Sequence, residues 1–297
     1  MDYIKIRVPA TSANLGSGFD SLGLALSLGN TMSVQRATNT SVRVHGEGSN
    51  SPKIQENAMF LSIFTSYYQR INNKMDSFKF IFNNNVPISR GLGSSSIVIL
   101  SAIYSAYLIS GVKISKRELL NLALVHEKHA DNITPATYGG FCVSSIHNDR
   151  IISTHKAIPN YVSALLVIPS KPMSTKMSRK ILPMQYSKDD VCFNISRSSL
   201  MVSAFMNHKW DLLKIASQDR IHEYYRMQTF PELINIKKKI ARYRPLMTTL
   251  SGSGSTIFSM FYSEDIERVK QSICNSFSRD FRVITSGFDN TGISQIH

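Results

Sequence analysis

The chain has 297 residues, 42% apolar and 18% charged, which is more than one core of about 100–200 residues needs and predicts two lobes sharing an interface. Lys plus Arg number 34 against 20 Asp plus Glu, and a net charge of +14 admits nucleic acid, an anionic surface or anionic small substrates as partners. No apolar run reaches the roughly 18 residues of a membrane span, Met1-Asp2-Tyr3-Ile4-Lys5 opens no signal-peptide stretch, and Cys142, Cys192 and Cys274 are too scattered for a disulfide framework or a zinc site, so a cytoplasmic protein with buried thiols is expected.

In chain order, alternation predicts short strands at Tyr3–Val8, Leu22–Leu28, Thr31–Arg36 and Ser41–His45. A helix follows at Glu56–Arg70 with its apolar face on Met59, Phe60, Ile63, Phe64 and Tyr67, then a strand at Phe78–Phe82. Ser94–Ile109 has almost no polar face beyond small serines, so it is predicted to be a helix buried under a sheet. Beyond a helix at Lys116–Lys128 comes a polar loop, then strands at Gly140–Ile146 and Tyr161–Ile168, with a lobe boundary near Pro159. The remainder predicts helices around Arg197–Phe205, Trp210–Ser217, Glu232–Ala241 and Asp265–Ser276, and strands at Met247–Leu250, Thr256–Tyr262 and Phe281–Ser286. Strands and helices without regular alternation favour α+β over a doubly wound parallel sheet. The densest basic run, Lys237-Lys238-Lys239 with Arg242 and Arg244, has no interleaved aromatics, which argues against nucleic-acid binding. Met201, Met206 and Met227 read as core filler.

Four stretches concentrate polar chemistry at element junctions. In Pro87-Ile88-Ser89-Arg90-Gly91-Leu92-Gly93-Ser94-Ser95-Ser96, glycines let backbone amides approach an anion while the following helix aims its N-terminal amides at it. The serines can donate to phosphate oxygens or hold Mg²⁺, and no Lys follows the second glycine as in a Walker loop. Taken alone, a capped Gly turn gives the same pattern. Pro9-Ala10-Thr11-Ser12-Ala13-Asn14-Leu15-Gly16-Ser17-Gly18-Phe19-Asp20 offers Asn14 and Asp20 to a ligand's ammonium, although ordinary turns use these residues too. Leu250-Ser251-Gly252-Ser253-Gly254-Ser255-Thr256 permits close backbone approach, and Glu127-Lys128-His129-Ala130-Asp131-Asn132-Ile133-Thr134-Pro135-Ala136 offers Glu127 as a magnesium ligand or is a solvated helix end. Turn chemistry alone does not explain four such loops in one chain.

These stretches, spread in the family's order from residue 9 to residue 256, resemble the galactokinase/homoserine kinase/mevalonate kinase (GHMP) family, and Pro9–Asp20 and His129-Ala130-Asp131-Asn132, with Pro135 and Gly139-Gly140, resemble the homoserine kinases within it. The resemblance implies a ribosomal-protein-S5-like N-terminal lobe over residues 1–158 and a ferredoxin-like C-terminal lobe over 159–297, with ATP and L-homoserine between them. It implies transfer of the γ-phosphoryl group to the homoserine hydroxyl on the route to threonine. Carried over, Pro87, Arg90, Gly91, Leu92, Gly93, Ser94, Ser95, Ser96, Gly252 and Gly254 belong to the ATP site. Ser94, Ser95 and Glu127 lie near Mg²⁺, with Ser95, Glu127 and Asn132 in the catalytic centre, and Asn14, Asp20 and His129 contact homoserine. Arg179, with Thr175 on the same helical face, and Arg226 lie in stretches that resemble homoserine kinase, and guanidinium groups suit a carboxylate that must be fixed in direction. Asn132 stands where mevalonate-type relatives place an Asp base, so positioning rather than deprotonation is expected. Two departures are Ser255 for the family's usual Pro and Arg244-Pro245 for a Gly-Ala pair. Expected partners are the two substrates, without nucleic acid or membrane, and a homodimer is an allowed assembly. The other readings are a relative acting on a mevalonate-like or sugar alcohol and a non-catalytic polyanion binder.

Overall fold

The computed structural model describes residues 2–276 and 281–296. Strands β1 (Tyr3–Ala13), β2 (Leu22–Ala37) and β3 (Ser41–Gly46) lead through helices α1 (Pro52–Glu56) and α2 (Ala58–Asn72) to β4 (Ser77–Asn84). Next come α3 (Ser94–Ile109), α4 (Lys116–Leu124), α5 (Ala130–Tyr138), β5 (Phe141–His147) and β6 (Arg150–Lys156). The second lobe contains β7 (Val162–Pro169), α6 (Thr175–Lys180), α7 (Lys188–Met206), a 3-10 turn at Trp210–Leu212, α8 (Leu213–Ala216), α9 (Glu223–Gln228) and α10 (Glu232–Ala241). It ends with β8 (Met247–Leu250), β9 (Ile257–Tyr262), α11 (Ile266–Cys274) and β10 (Phe281–Ser286), after which β11 (Ser294–Gln295) returns to the first sheet.

The first sheet runs β11-β1-β2-β4-β3, with β5 joined to β2 and β6 to β5. In β1, Ile4, Ile6 and Val8 are buried while Tyr3, Lys5 and Arg7 face outward, the alternation of a sheet with one face covered by helices. The β3–β4 pair is parallel, as a crossover through α1 and α2 allows. The second sheet, β10-β7-β9-β8, is antiparallel throughout. Together they form the expected two-lobed α+β architecture, and α3 is as buried as its sequence implies. Among the described residues no helix is long and apolar enough to cross a membrane.

The structure departs from the sequence reading at several points. Leu22–Leu28 and Thr31–Arg36 are one 16-residue strand, because the irregularity at Gly29 is absorbed by a register shift between Pro9 and Thr11 in its partner β1. The stretch after Glu127 contains a helix, α5, despite Pro135: the proline leaves the Asp131 carbonyl without an intrahelical donor, and Gly23 gives that carbonyl room, since a Cβ there would lie 2.0 Å from it. Strand β6 has only Ile151 fully buried and so carries little apolar signal. Of the cysteines, Cys142 is buried as expected, but Cys192 and Cys274 are exposed because they fall on the outer faces of α7 and α11.

Candidate active site

Three glycine-rich stretches meet at the start of α3. Gly93, the residue preceding the helix, has φ +71°, and a Cβ on it would sit 2.0 Å from Thr11 Oγ1; a Cβ on Gly91 would sit 2.1 Å from the Ser251 carbonyl. Only bare backbone lets these loops come together. Thr11 N–H donates to the Leu92 carbonyl at 3.2 Å, Gly252 N–H to the Ala13 carbonyl at 3.0 Å, and the Ser251 hydroxyl to the Gly91 carbonyl at 2.6 Å. No side chain caps α3, so its first amides face the cavity that Ser94, Ser95 and Ser96 line.

That cavity, about 390 Å³, continues past the cradle to a charged end. Asp20, from the loop after β1, receives both terminal nitrogens of Arg179 on α6 at 2.6 and 3.0 Å. Arg226 on α9 is fully buried and donates to the Gly252 carbonyl at 3.0 Å and to His222 Nδ1 at 3.1 Å. His222 therefore carries its proton on Nε2, which donates to the Gly16 carbonyl at 2.8 Å, and burial pushes its basicity down so that it stays neutral. Both guanidinium groups lie over Phe19, at 5.5 Å for Arg179 and 5.1 Å for Arg226, and the ring stacks on His222 at 5.1 Å. Burial, with the neighbouring Arg179 charge, lowers the pKa of Arg226 to about 10. Arg179 Nε is buried without a hydrogen-bond partner.

The first turn of α5 closes the cavity from the other side. Asn132 Oδ1 accepts from the Thr11 hydroxyl at 2.7 Å, and its amide donates to Asp131 Oδ1 at 3.3 Å. Asp131 is buried, and desolvation, reinforced by the Asp20 charge, raises its pKa to about 7. His129 Nδ1 lies 3.0 Å from Glu127 Oε1. Asn14 is committed at both ends of its amide, donating to the Gly252 carbonyl at 3.0 Å and accepting from Asp20 N–H at 3.0 Å, with the positive φ that Asn tolerates.

The cavity thus brings together Asn14, Gly91, Leu92, Gly93, Ser94, Ser95, Ser96, Glu127, His129, Asn132, Thr175, Arg179, Arg226 and Gly252, with Asp20 held at its edge by Arg179. Pro87 and Arg90 face a separate recess, where Arg90 donates to the carbonyls of Ile88 and Pro169, and Gly254 lies against Met173. Asp131 and Phe19 were not singled out from sequence, nor was the buried network of Asp219, His222 and Glu223 beneath Arg226. A buried carboxylate has no periodic signature, and an aromatic in a turn reads as a packing residue. Of the two sequence departures, Arg244 adopts φ +52°, a left-handed position that favours glycine, and Ser255 donates its hydroxyl to the Lys171 carbonyl at 2.7 Å.

The family models "GHMP kinases N terminal domain" and "GHMP kinases C terminal" match residues 59–140 and 201–279. A homoserine kinase of Aliarcobacter butzleri is 50% identical over 98% of this chain and 99% of its own length, and one of Sulfurovum sp. is 47% identical over 97% and 98%. The crystal structure of a homoserine kinase from Cytophaga hutchinsonii superposes with a TM-score of 0.87 at 25% identity, covering 100% of this chain and 98% of that one. With its cradle and charged pocket in one cavity and this likeness along nearly its whole length, the chain belongs to the homoserine kinase family of the GHMP kinases.

Proposed function

We propose that the protein transfers the γ-phosphoryl group of ATP to the side-chain hydroxyl of L-homoserine, giving O-phospho-L-homoserine. The observation that carries this reading is the charge pattern at the far end of the phosphate cavity. Two arginines, one with an orphaned buried Nε, share this end with two carboxylates, Asp20 and Asp131, which is the complement of a zwitterionic amino acid. The names of the relatives agree with it.

The substrate carboxylate binds Arg226 and Arg179, whose fork geometry fixes its direction, and the ammonium binds Asp20 and Asp131. Because Asp20 and Arg179 already pair with each other, a zwitterion replaces that contact with two equivalent ones and leaves no buried charge unmatched. The hydroxyl then lies by Asn132, whose Oδ1 has a second lone pair beyond the Thr11 bond and can orient the nucleophile without taking its proton. Phosphoryl transfer through a loose transition state needs alignment and charge neutralisation more than early deprotonation, so the proton leaves late, to the phosphate. The α3 amides with Gly91, Gly93 and the serines hold the triphosphate.

Mg²⁺ fits the oxygen donors at the cradle. Ser94, Ser95 and Glu127 face the cavity, and among the described residues no cluster of three or more His, Cys, Asp or Glu could hold a metal unaided, so the phosphates would complete its ligands. When bound, the ion neutralises charge on the β- and γ-phosphates. An ATP-coupled assay of the purified protein with homoserine, mevalonate and galactose tests the proposal. Turnover with homoserine alone is expected, and turnover with either other alcohol instead would overturn it. A steep pH-rate limb that vanishes in His129→Gln would make His129 the base.

A further inference from the structure

We infer that residues 287–296 form a strap, clasped by the Arg7–Asp289 ion pair, that sets the orientation of α5 and with it the reacting ends of Asn132 and Asp131. Ser27 N–H donates to the Gly287 carbonyl at 2.8 Å, Phe288 bridges Leu26, and Ile296 N–H reaches the Lys5 carbonyl at 2.9 Å, so both ends of the segment are tied to the first sheet. Between them Asp289 does three things at once. One carboxylate oxygen pairs with Arg7 on β1, the other accepts from Thr291 N–H at 2.8 Å and Gly292 N–H at 2.6 Å, and its backbone carbonyl accepts from Gly140 N–H at 2.7 Å.

The rest of the strap lies on the C-terminal end of α5. Ile293 N–H donates to the Ala136 carbonyl at 2.8 Å, and the Lys116 ammonium on α4 donates to the Thr291 carbonyl. The contact is backbone on backbone: a Cβ on Gly139 would lie 2.4 Å from the Asn290 carbonyl carbon, and one on Gly292 would lie 2.3 Å from the Thr137 carbonyl oxygen. Asn290 fastens the same segment to Ile158 through both of its amide atoms, at 2.8 and 2.9 Å.

Asp131 and Asn132 lie in the first turn of this short helix, about 9 Å along its axis from the strapped turn. A single short helix moves as a unit, so a tilt released at its C-terminal end displaces the two functional side chains by a comparable amount. Reacting groups misplaced by about 1 Å can lose about a hundredfold in rate. Asp289 touches neither substrate. It acts through α5, as a positioning residue, and the inference rests on the kinase reading above.

Two readouts test it, one independent of the acceptor. Asp289→Asn keeps an acceptor for Thr291 and Gly292 but removes the charge that Arg7 holds. It is expected to lower kcat for homoserine about tenfold, or about 1.4 kcal/mol of barrier, with the ATP KM within twofold, and to speed amide exchange at least tenfold across residues 131–139 but not in α2. Asp76→Asn, which breaks the Arg36–Asp76 pair at the opposite end of the same sheet, serves as the stability control and should leave both readouts unchanged. Arg7→Lys, milder at the same clasp, should fall between wild type and Asp289→Asn and carries the test if the latter does not fold. Wild-type kcat and exchange in folded clasp variants, or equal losses in Asp76→Asn, would overturn the strap. A wild-type protein that ignores homoserine would overturn the kinase reading, while the exchange data would still judge the strap.

Discussion

At the level of single residues, the site concentrates charge where water is scarce, and Asp131 bears most of that strain. Its carboxyl is raised to about 7, from burial first and Asp20 second, so folding favours the protonated form. The sign follows: the unfolded chain ionises near the usual carboxylate range, the folded one only near 7, and the cost of keeping Asp131 grows as pH rises between them. Asp131→Asn should therefore raise Tm, by more at pH 8 than at pH 5, while homoserine KM increases; an equal shift at both pH values would contradict the assignment. In the wild type, kcat/KM for homoserine should fall below pH 7 as Asp131 loses its attraction for ammonium, with kcat at saturation flat. A matching limb in kcat would make Asp131 a base instead. Arg179→Lys and Arg226→Lys should each raise homoserine KM about tenfold or more and leave the ATP KM nearly unchanged, since a hydrogen bond to a charged group contributes about 1.5–3 kcal/mol. Wild-type homoserine KM in both would place the carboxylate elsewhere. Arg179, Arg226 and Asn132 were singled out because their stretches resemble homoserine kinase, and all three line one cavity. Asp131 was not singled out: the residue type is ordinary, and what sets it apart is its burial.

At the level of elements, legibility followed burial pattern. Helix α3 has the bounds its apolar run implies, Ser94–Ile109, and α10 and β8 also match residue for residue. Helices α5 and α9 escaped because a proline or a polar start masks a segment of nine or six residues whose stability is tertiary. In α9, Asp219 satisfies the first amides from outside the helix, accepting from His222 and Glu223 N–H at 2.8 Å each. The proposed nucleotide cradle rests on the start of α3. At Gly93 a side chain would both meet Thr11 Oγ1 and be forced to a positive φ. Gly93→Val is therefore expected to abolish ATP binding by calorimetry while far-ultraviolet circular dichroism shows a folded chain. Unchanged nucleotide affinity in a folded variant would remove the cradle assignment.

At the level of the whole molecule, the two lobes are not independent bodies joined by a linker, and β7 shows why. Its alternation sends Ala164, Leu166 and Ile168 into the core that also contains Ile4, Leu15 and Leu100 of the first lobe, whereas Leu165 and Val167 pack with α10 and α11 in a second core. One face of the second sheet is thus part of the first lobe's interior. Phe141 on β5 stacks on Phe205 of α7 with centroids 4.1 Å apart, and β11 carries the chain back to pair with β1. Unfolding either lobe alone would expose the shared face, at about 25 cal/mol for each Å² of apolar surface, a penalty that couples the two. Calorimetry should accordingly show one transition, with a total enthalpy of about 200 kcal/mol near 60 °C for a chain of this size and equal calorimetric and van't Hoff values. The substrates test the same coupling from the other direction. In the proposed binding mode homoserine bridges Asp20 and Asp131 of one lobe and Arg179 and Arg226 of the other, so at a hundred times its Kd it should add about 2.7 kcal/mol and move the whole transition upward. Two resolved transitions, of which homoserine moves only one, would show that the lobes fold separately and that the shared core does not set the cooperative unit.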